Sequence, residues 1–369
     1  MKAHSPIVFL LVMVYVSMAL RPSQAAQVDQ PIPILAYYYV WFDESSWERA
    51  KIDYPLLGRY SSDDRLVMEQ HIRWAQAAGI DGFIVSWKST EKNDRRLAQL
   101  VELAGELDFK LAMIYQGLDF ERDPLPAEQI ATDFGLFLET YGGHPVFDLF
   151  GKPLMIWSGS WKISVEEIAS VTRVFREQLL ILSSERNVDG YLRLADLVEG
   201  NAYYWSSVDP ETTPGYLEKL DAFGAAVHER GGLWIAPAAP GFDARLIGGT
   251  RVVERLDGLT FQQQLATAFN SAPDAIGVIS WNEFSENTHV EPSEMYATRY
   301  LELLADFNRI DVPPAALFES DQPIGAGEVP EHAPALPQVG QSRGVAVVVV
   351  AGLALLGLAI LAARIRDRS

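Results

Sequence analysis

The sequence predicts an α/β fold, a single-domain (β/α)8 TIM barrel. Three observations predict it. Short β-branched and aromatic runs alternate with longer amphipathic ones, the alternation continues through residues 30–310 without a break in composition, and aromatic residues recur where the short runs end. An open doubly wound sheet is the competing arrangement.

Residues 34–39 read as the first strand. Residues 63–78 read as a helix, opened by Ser62 or Asp63 and closed by Gly79, and residues 82–87 as the second strand. The pattern continues as helix 95–107, strand 110–115, helix 127–141 and strand 153–157. Residues 164–182 carry apolar positions at helical spacing and read as one helix. The later strands are 197–204, 233–236 and 275–280, with helices 214–230 and 260–270 between them and 296–308 at the end. One barrel strand is then poorly written, and 188–194 or 252–259 is where it is expected.

The ends of the chain carry other signals. Lys2 precedes an apolar run, Ile7 to Leu20, and small residues at Ser23 and Ala25 suit a signal peptidase, so 1–25 reads as a signal peptide. Residues 311–343 are rich in proline and acids and read as an extracellular tether. Residues 344–363 are unbroken apolar sequence of about the ~20 residues a membrane helix needs. Arg364, Arg366 and Arg368 follow, so 364–369 should be a cytoplasmic tail and the body should face outward, anchored in the lipid bilayer.

Composition removes several function classes. With no cysteine, thiol catalysis, cysteine-zinc sites and disulfides are excluded. A net charge of -19 argues against nucleic acid as a partner, because neutralising phosphates takes clustered Lys and Arg. Neither phosphate-loop nor dinucleotide glycine motifs occur, and the histidines show no metal-ligand spacing.

If the body is a barrel, its site lies at the C-terminal ends of the strands. Tyr39, Trp41, Trp87, Tyr115, Trp157, Trp161, Tyr203, Tyr204, Trp205 and Trp281 collect there, a supply of flat faces for the C–H faces of sugar rings. Polar groups interleave with them, among them Asp43, Lys88, Gln116, Asp119, Asn201, Asp243, Arg245, Asn282 and His289. From these, Tyr39, Trp41, Trp87, Tyr115, Asn201, Tyr203, Asp243, Trp281, Asn282 and His289 are the candidate substrate-binding residues.

The stretch SWNEFSENTHVEPS, Ser280 to Ser293, leaves the last apolar strand with two glutamates three positions apart. On a non-helical turn, Glu283 and Glu286 can reach one site. Glycoside cleavage needs such a pair, one carboxyl protonated to serve the leaving oxygen and one anionic. Burial and mutual repulsion would hold one proton on the pair.

These residues resemble glycoside hydrolase family 99, the endo-α-mannosidase and endo-α-mannanase group, whose signature runs Asn-Glu-Trp-x-Glu-Gly-Thr-x-Ile-Glu-Pro. Here the segment Asn282 to Pro292 reads NEFSENTHVEP. Tyr37-Tyr38-Tyr39-Val40-Trp41, His71-Ile72, the run Ala78 to Phe83 and Pro240-Gly241-Phe242-Asp243 extend the likeness over nearly the whole body. The resemblance implies a retaining, substrate-assisted mechanism without a metal or other cofactor. Glu283 would be the base on the sugar 2-hydroxyl and Glu286 the acid on the departing oxygen. Phe284 replaces the family's Trp, and Asn287 its Gly. Asn is the best-tolerated replacement where φ is positive. The expected function is a membrane-anchored extracellular glycoside hydrolase acting on an α-linked mannan-like or related polysaccharide. A non-catalytic carbohydrate-binding barrel and a surface polysaccharide-biosynthesis protein are the alternatives.

Overall fold

The computed structural model describes residues 31–308. The expected signal peptide, tether, membrane helix and tail lie outside the described residues. Among the described residues no helix is long and apolar enough to cross a membrane.

The strands are β1 Ile34–Tyr39, β2 Gly82–Trp87, β3 Lys110–Gln116, β4 Leu154–Ser158, β5 Leu180–Ser183, β6 Gly200–Ala202, β7 Leu233–Ala238, the short pair β8 Phe242–Asp243 and β9 Val252–Val253, and β10 Ala275–Val278. All but the short pair close into one barrel in the order β1-β10-β7-β6-β5-β4-β3-β2, and its neighbours are parallel throughout. The helices are α1 Arg65–Ala77, α2 Glu91–Glu106, α3 Ala127–Tyr141, α4 Val165–Phe175, α5 Val188–Leu192, α6 Tyr216–His228, α7 Leu259–Asn270 and α8 Arg299–Phe307. Side chains cap several of them. Asp64 accepts from the Leu66 N–H at α1, Thr90 from Asn93 at α2, and Ser164 with Glu167 forms a capping box at α4.

Barrel strands are covered on both faces, which is why β1 and β2 are apolar and buried along their whole length. Alternation still sorts their side chains. Leu35, Tyr37, Ile84, Ala112, Ile114, Leu154, Ile156, Leu182, Ala202 and Ile235 pack together as the barrel interior. Their neighbours Ile34, Ala36, Tyr38, Phe83, Val85, Met113, Met155 and Ile181 pack with Met68, Ile72, Leu100, Phe134 and Ile168 of the helices. This period of two decides what reaches the site.

The poorly written strand is β5, Leu180–Ser183, and the expected positions at 188–194 and 252–259 are corrected. Residues 188–192 form the short helix α5, and Val252–Val253 pairs antiparallel with Phe242–Asp243 outside the barrel. The expected helix 164–182 contained the strand at its end. Leu179 to Leu182 is four apolar residues in a row, which no single helix face can bury, whereas a barrel strand buries both of its faces. The helix stops at Phe175, and the Leu180 N–H bonds the Pro153 carbonyl to enter the sheet beside β4.

Candidate active site

After β10 the chain turns through residues 279–291 in a loop closed by its own hydrogen bonds. The Ser280 N–H donates to the Thr288 carbonyl at 2.8 Å, the Thr288 N–H to the Glu283 carbonyl at 3.1 Å, and the Glu291 N–H to the Trp281 carbonyl at 2.9 Å. Three neighbours hold this loop from outside. The Asn282 amide brackets the Tyr39 backbone, accepting from its N–H at 2.9 Å and donating to its carbonyl at 3.0 Å. The Asp243 N–H donates to the Glu286 carbonyl at 2.7 Å, tying β8 to the loop. Arg255, stacked over Tyr296 and Tyr300, donates to the carbonyls of Asn287 and His289. Asn287 has φ 51°, in the left-handed region where Asn is the best-tolerated residue after Gly.

Glu283 and Glu286 line one cavity of about 290 Å³, near the lower end of the ~300–1,000 Å³ usual for ligand clefts. Tyr39 and Trp41 line it with them. So do Gln116, Ser158, Tyr204, Trp161, Trp205, Ser206, Ser207, Arg122, Phe242 and Ile279. Glu283 is 8% exposed, and the Ser285 N–H donates to its Oε1 at 2.8 Å. Burial pushes its carboxyl up to about 7, the charge of Glu286 adds to the shift, and the Ser285 bond and Lys51 oppose it. Burial also raises Glu286, and Arg122 works against that rise. The Tyr39 and Tyr204 hydroxyls bond each other beside the pair, both raised first by burial and further by the two glutamates. Such a pair, in one cleft, holds a proton into the neutral range, where an acid and a base can work side by side.

The remaining sequence-nominated residues lie behind the cavity wall. Trp87, Tyr115 and Tyr203 have the outward parity of their strands. The Trp87 indole N–H donates to Asp94, the Tyr115 hydroxyl to Asp133, and Lys219 donates to the Tyr203 hydroxyl. Asn201 also points outward, where its Oδ1 accepts from Ser183 and from the Glu185 N–H. The Asp243 carboxylate pairs with Arg245. Trp281 packs beside His71 and Phe83 in the layer between barrel and helices. His289 stacks on Phe284 at 3.9 Å and bonds Asp53 through Nε2 at 3.1 Å. Burial first, then Arg255, lowers His289 to about 4. Phe284 is therefore part of the loop's packing beneath the site, against His289 and Trp47, and is not a wall of the cavity. Asp43, another strand-end acid, binds the buried Arg96 and the exposed Lys92 in an ion-pair cluster at the surface.

The residues that sequence reasoning left out of the candidate set follow the same rule. Gln116, Ser158 and Tyr204 share parity with Ile114, Ile156 and Ala202, which face the interior, and that register was the signal available for them. Arg122 had no such signal. It sits on a turn at φ 68° with its carbonyl held by the Lys162 ammonium, a placement only the folded loop defines.

Keeping Glu283 buried has a measurable effect on stability. Its folded value near 7 exceeds the ordinary 4.5, so between those values the folded state binds more protons than the unfolded state. Stability therefore falls as pH rises from about 4.5 to 7, by an amount of order 1–3 kcal/mol. Glu283→Gln cannot ionise. Its melting temperature should match the parent's near pH 4 and exceed it at pH 8. Parallel curves for the two proteins across that range would show that Glu283 ionises without hindrance in the folded chain.

A parallel barrel with one buried and one half-buried carboxyl in a single cavity, among aromatic and hydroxyl groups at the C-terminal ends of its strands, has the build of a glycoside hydrolase. The particular family follows from sequence. The model of glycosyl hydrolase family 99 matches residues 43–309, and the chain belongs to that family. A glycoprotein endo-alpha-1,2-mannosidase-like protein of Danio rerio is 24% identical over 279 residues, a match covering 68% of this chain; the chain spans 62% of that relative's length. Among solved structures, the endo-alpha-mannosidase of Bacteroides thetaiotaomicron in complex with bis-tris-propane superposes with a TM-score of 0.68 at 20% identity, covering 75% of this chain and 97% of that one. A glycoside hydrolase-like protein superposes at 0.59 with 16% identity, over 78% of this chain and 96% of that one. At these identities the two structures establish the shared fold.

Proposed function

We propose that this chain is a retaining glycoside hydrolase that cleaves α-linked mannan-like polysaccharide with Glu283 and Glu286 as its working pair. Glu283 takes the proton of the sugar 2-hydroxyl as that oxygen attacks C1. The C1–oxygen bond breaks, and Glu286 gives its proton to the departing oxygen. Water then opens the resulting 1,2-anhydro sugar from the opposite face, losing a proton to Glu286 while Glu283 returns one to O2, so two inversions give net retention. The observation that carries this reading is the placement of both carboxyls, each raised by burial, in one cavity. A Glu283 carboxylate of raised pKa is a stronger base than a solvated one, and a Glu286 raised by burial keeps the proton it must give. Tyr39, Trp41, Trp161 and Trp205 supply the stacking surface for sugar rings.

The purified body, residues 30–310, incubated with a panel of α-mannans and α-glucans, should generate new reducing ends on at least one α-mannan. Binding across the panel with no cleavage would make the barrel a carbohydrate-binding module instead.

We also infer that the body works outside the cell, tethered to the membrane. The motive is the apolar run 344–363 followed by three arginines, together with the signal-like N-terminus. Ending the chain at Gln341 should release the protein into the medium. A truncated protein still found with membranes would refute the tether.

A further inference from the structure

We infer that the substrate carries anionic substituents, carboxylate or sulfate or phosphate ester, which cations stacked on aromatic rings at the mouth of the cleft recognise. The inference rests on the glycoside-hydrolase reading of the same cleft. Its main observation is Arg186, in the connection from β5 to α5. Its guanidinium lies between two indoles, 4.3 Å from the ring centroid of Trp161 and 4.7 Å from that of Trp205, and both of those indoles line the cavity of Glu283 and Glu286. Among the described residues no carboxylate or hydrogen-bond acceptor takes up its N–H groups. Stacking engages the faces of a guanidinium and leaves the N–H edge free, the edge that grips a planar or tetrahedral oxyanion.

One more cation repeats the stacking, and another lines the cavity, in the loops after neighbouring strands. Lys88, directly after β2, has its ammonium 4.9 Å from the ring centroid of Phe120, an aromatic 93% exposed on the connection after β3. Arg122, two residues further along that connection, lines the cavity itself. Neither makes an ion pair among the described residues. In a chain with 49 acidic and 30 basic residues, cations without carboxylate partners in the loops at one end of the barrel run against the overall composition. Arg122 has one competing role, since its charge acts on Glu286. Arg186 and Lys88 have no such role, and a surface built only for neutral sugars needs the indoles without the guanidinium between them.

The test uses the full chain carrying Glu283→Gln, so that ligands bind without being cut. It is titrated calorimetrically with one α-mannan oligosaccharide in three forms: neutral, oxidised at C6 to the carboxylate, and sulfated. At low salt one charged form should bind about tenfold or more tightly than the neutral one, and the gap should narrow as salt is raised. Adding Arg186→Gln should bring the charged-to-neutral ratio towards one. Arg186→Lys, a point charge without the fork, should retain part of it. Preference for the carboxylate form would identify a uronate-type group, and preference for the sulfated form an ester. Neutral sugar bound as tightly as both charged forms, with a ratio indifferent to Arg186, would overturn the inference and leave the hydrolase reading standing. Failure to bind all three would remove both.

Discussion

Glu283→Gln should abolish turnover of polysaccharide and of activated glycosyl fluorides alike, whereas Glu286→Gln should lose roughly 10²- to 10⁴-fold on polysaccharide and keep much of its rate on fluorides. The difference follows from the two jobs. Deprotonating the 2-hydroxyl is part of bond breaking whatever leaves, so a base is always required. Protonating the departing oxygen matters only when the leaving group is a poor one, and fluoride is not. The electrostatics make this test necessary, because burial first, then the charge of Glu286, raises Glu283, the residue proposed as base, to about 7. On the simplest rule a carboxyl raised so far would be the acid, and Glu286 is raised by burial as well. Reversed roles would invert the pattern, leaving Glu286→Gln inactive on both substrates and Glu283→Gln active on fluorides. Near-normal polysaccharide turnover in either variant would remove that glutamate from the mechanism.

Gly200→Ala should cost about 3 kcal/mol or more, from overpacking and backbone strain together, and lower the melting temperature by roughly 5–10 °C if the variant folds. Gly200 opens β6, the shortest barrel strand, between β5 and β7. A Cβ there would stand 2.0 Å from the Leu233 carbonyl oxygen and 2.6 Å from its nitrogen, both backbone atoms of the adjoining strand that cannot swing aside. Its φ of 153° is also one that side chains with a Cβ rarely adopt. Circular dichroism melts of the two proteins measure the effect. A loss below about 1 kcal/mol would mean that β6 and β7 can separate at this point without cost. The same change at Gly231, where φ is 70° but nothing lies within 4 Å, tests strain alone and should be the milder of the two.

By itself the sequence determined the fold class and most of the strands, and it nominated the pair Glu283 and Glu286. Each of these rests on local information: runs of apolar residues, caps such as Ser164 with Glu167, and a stretch whose residue types fit neither a core strand nor a solvated turn. The tertiary structure decided two further things. It separated β5 from the helix before it, because whether Leu179 to Leu182 is strand or helix depends on the sheet that covers both of its faces. It also decided which strand-end residues face the cleft. Side chains alternate, so Tyr204 reaches the cavity and Tyr203 does not, and Gln116 reaches it while Tyr115 meets α3. Both members of each pair suit a sugar site by residue type. Only the closure of the barrel, which fixes the parity that points inward, separates them.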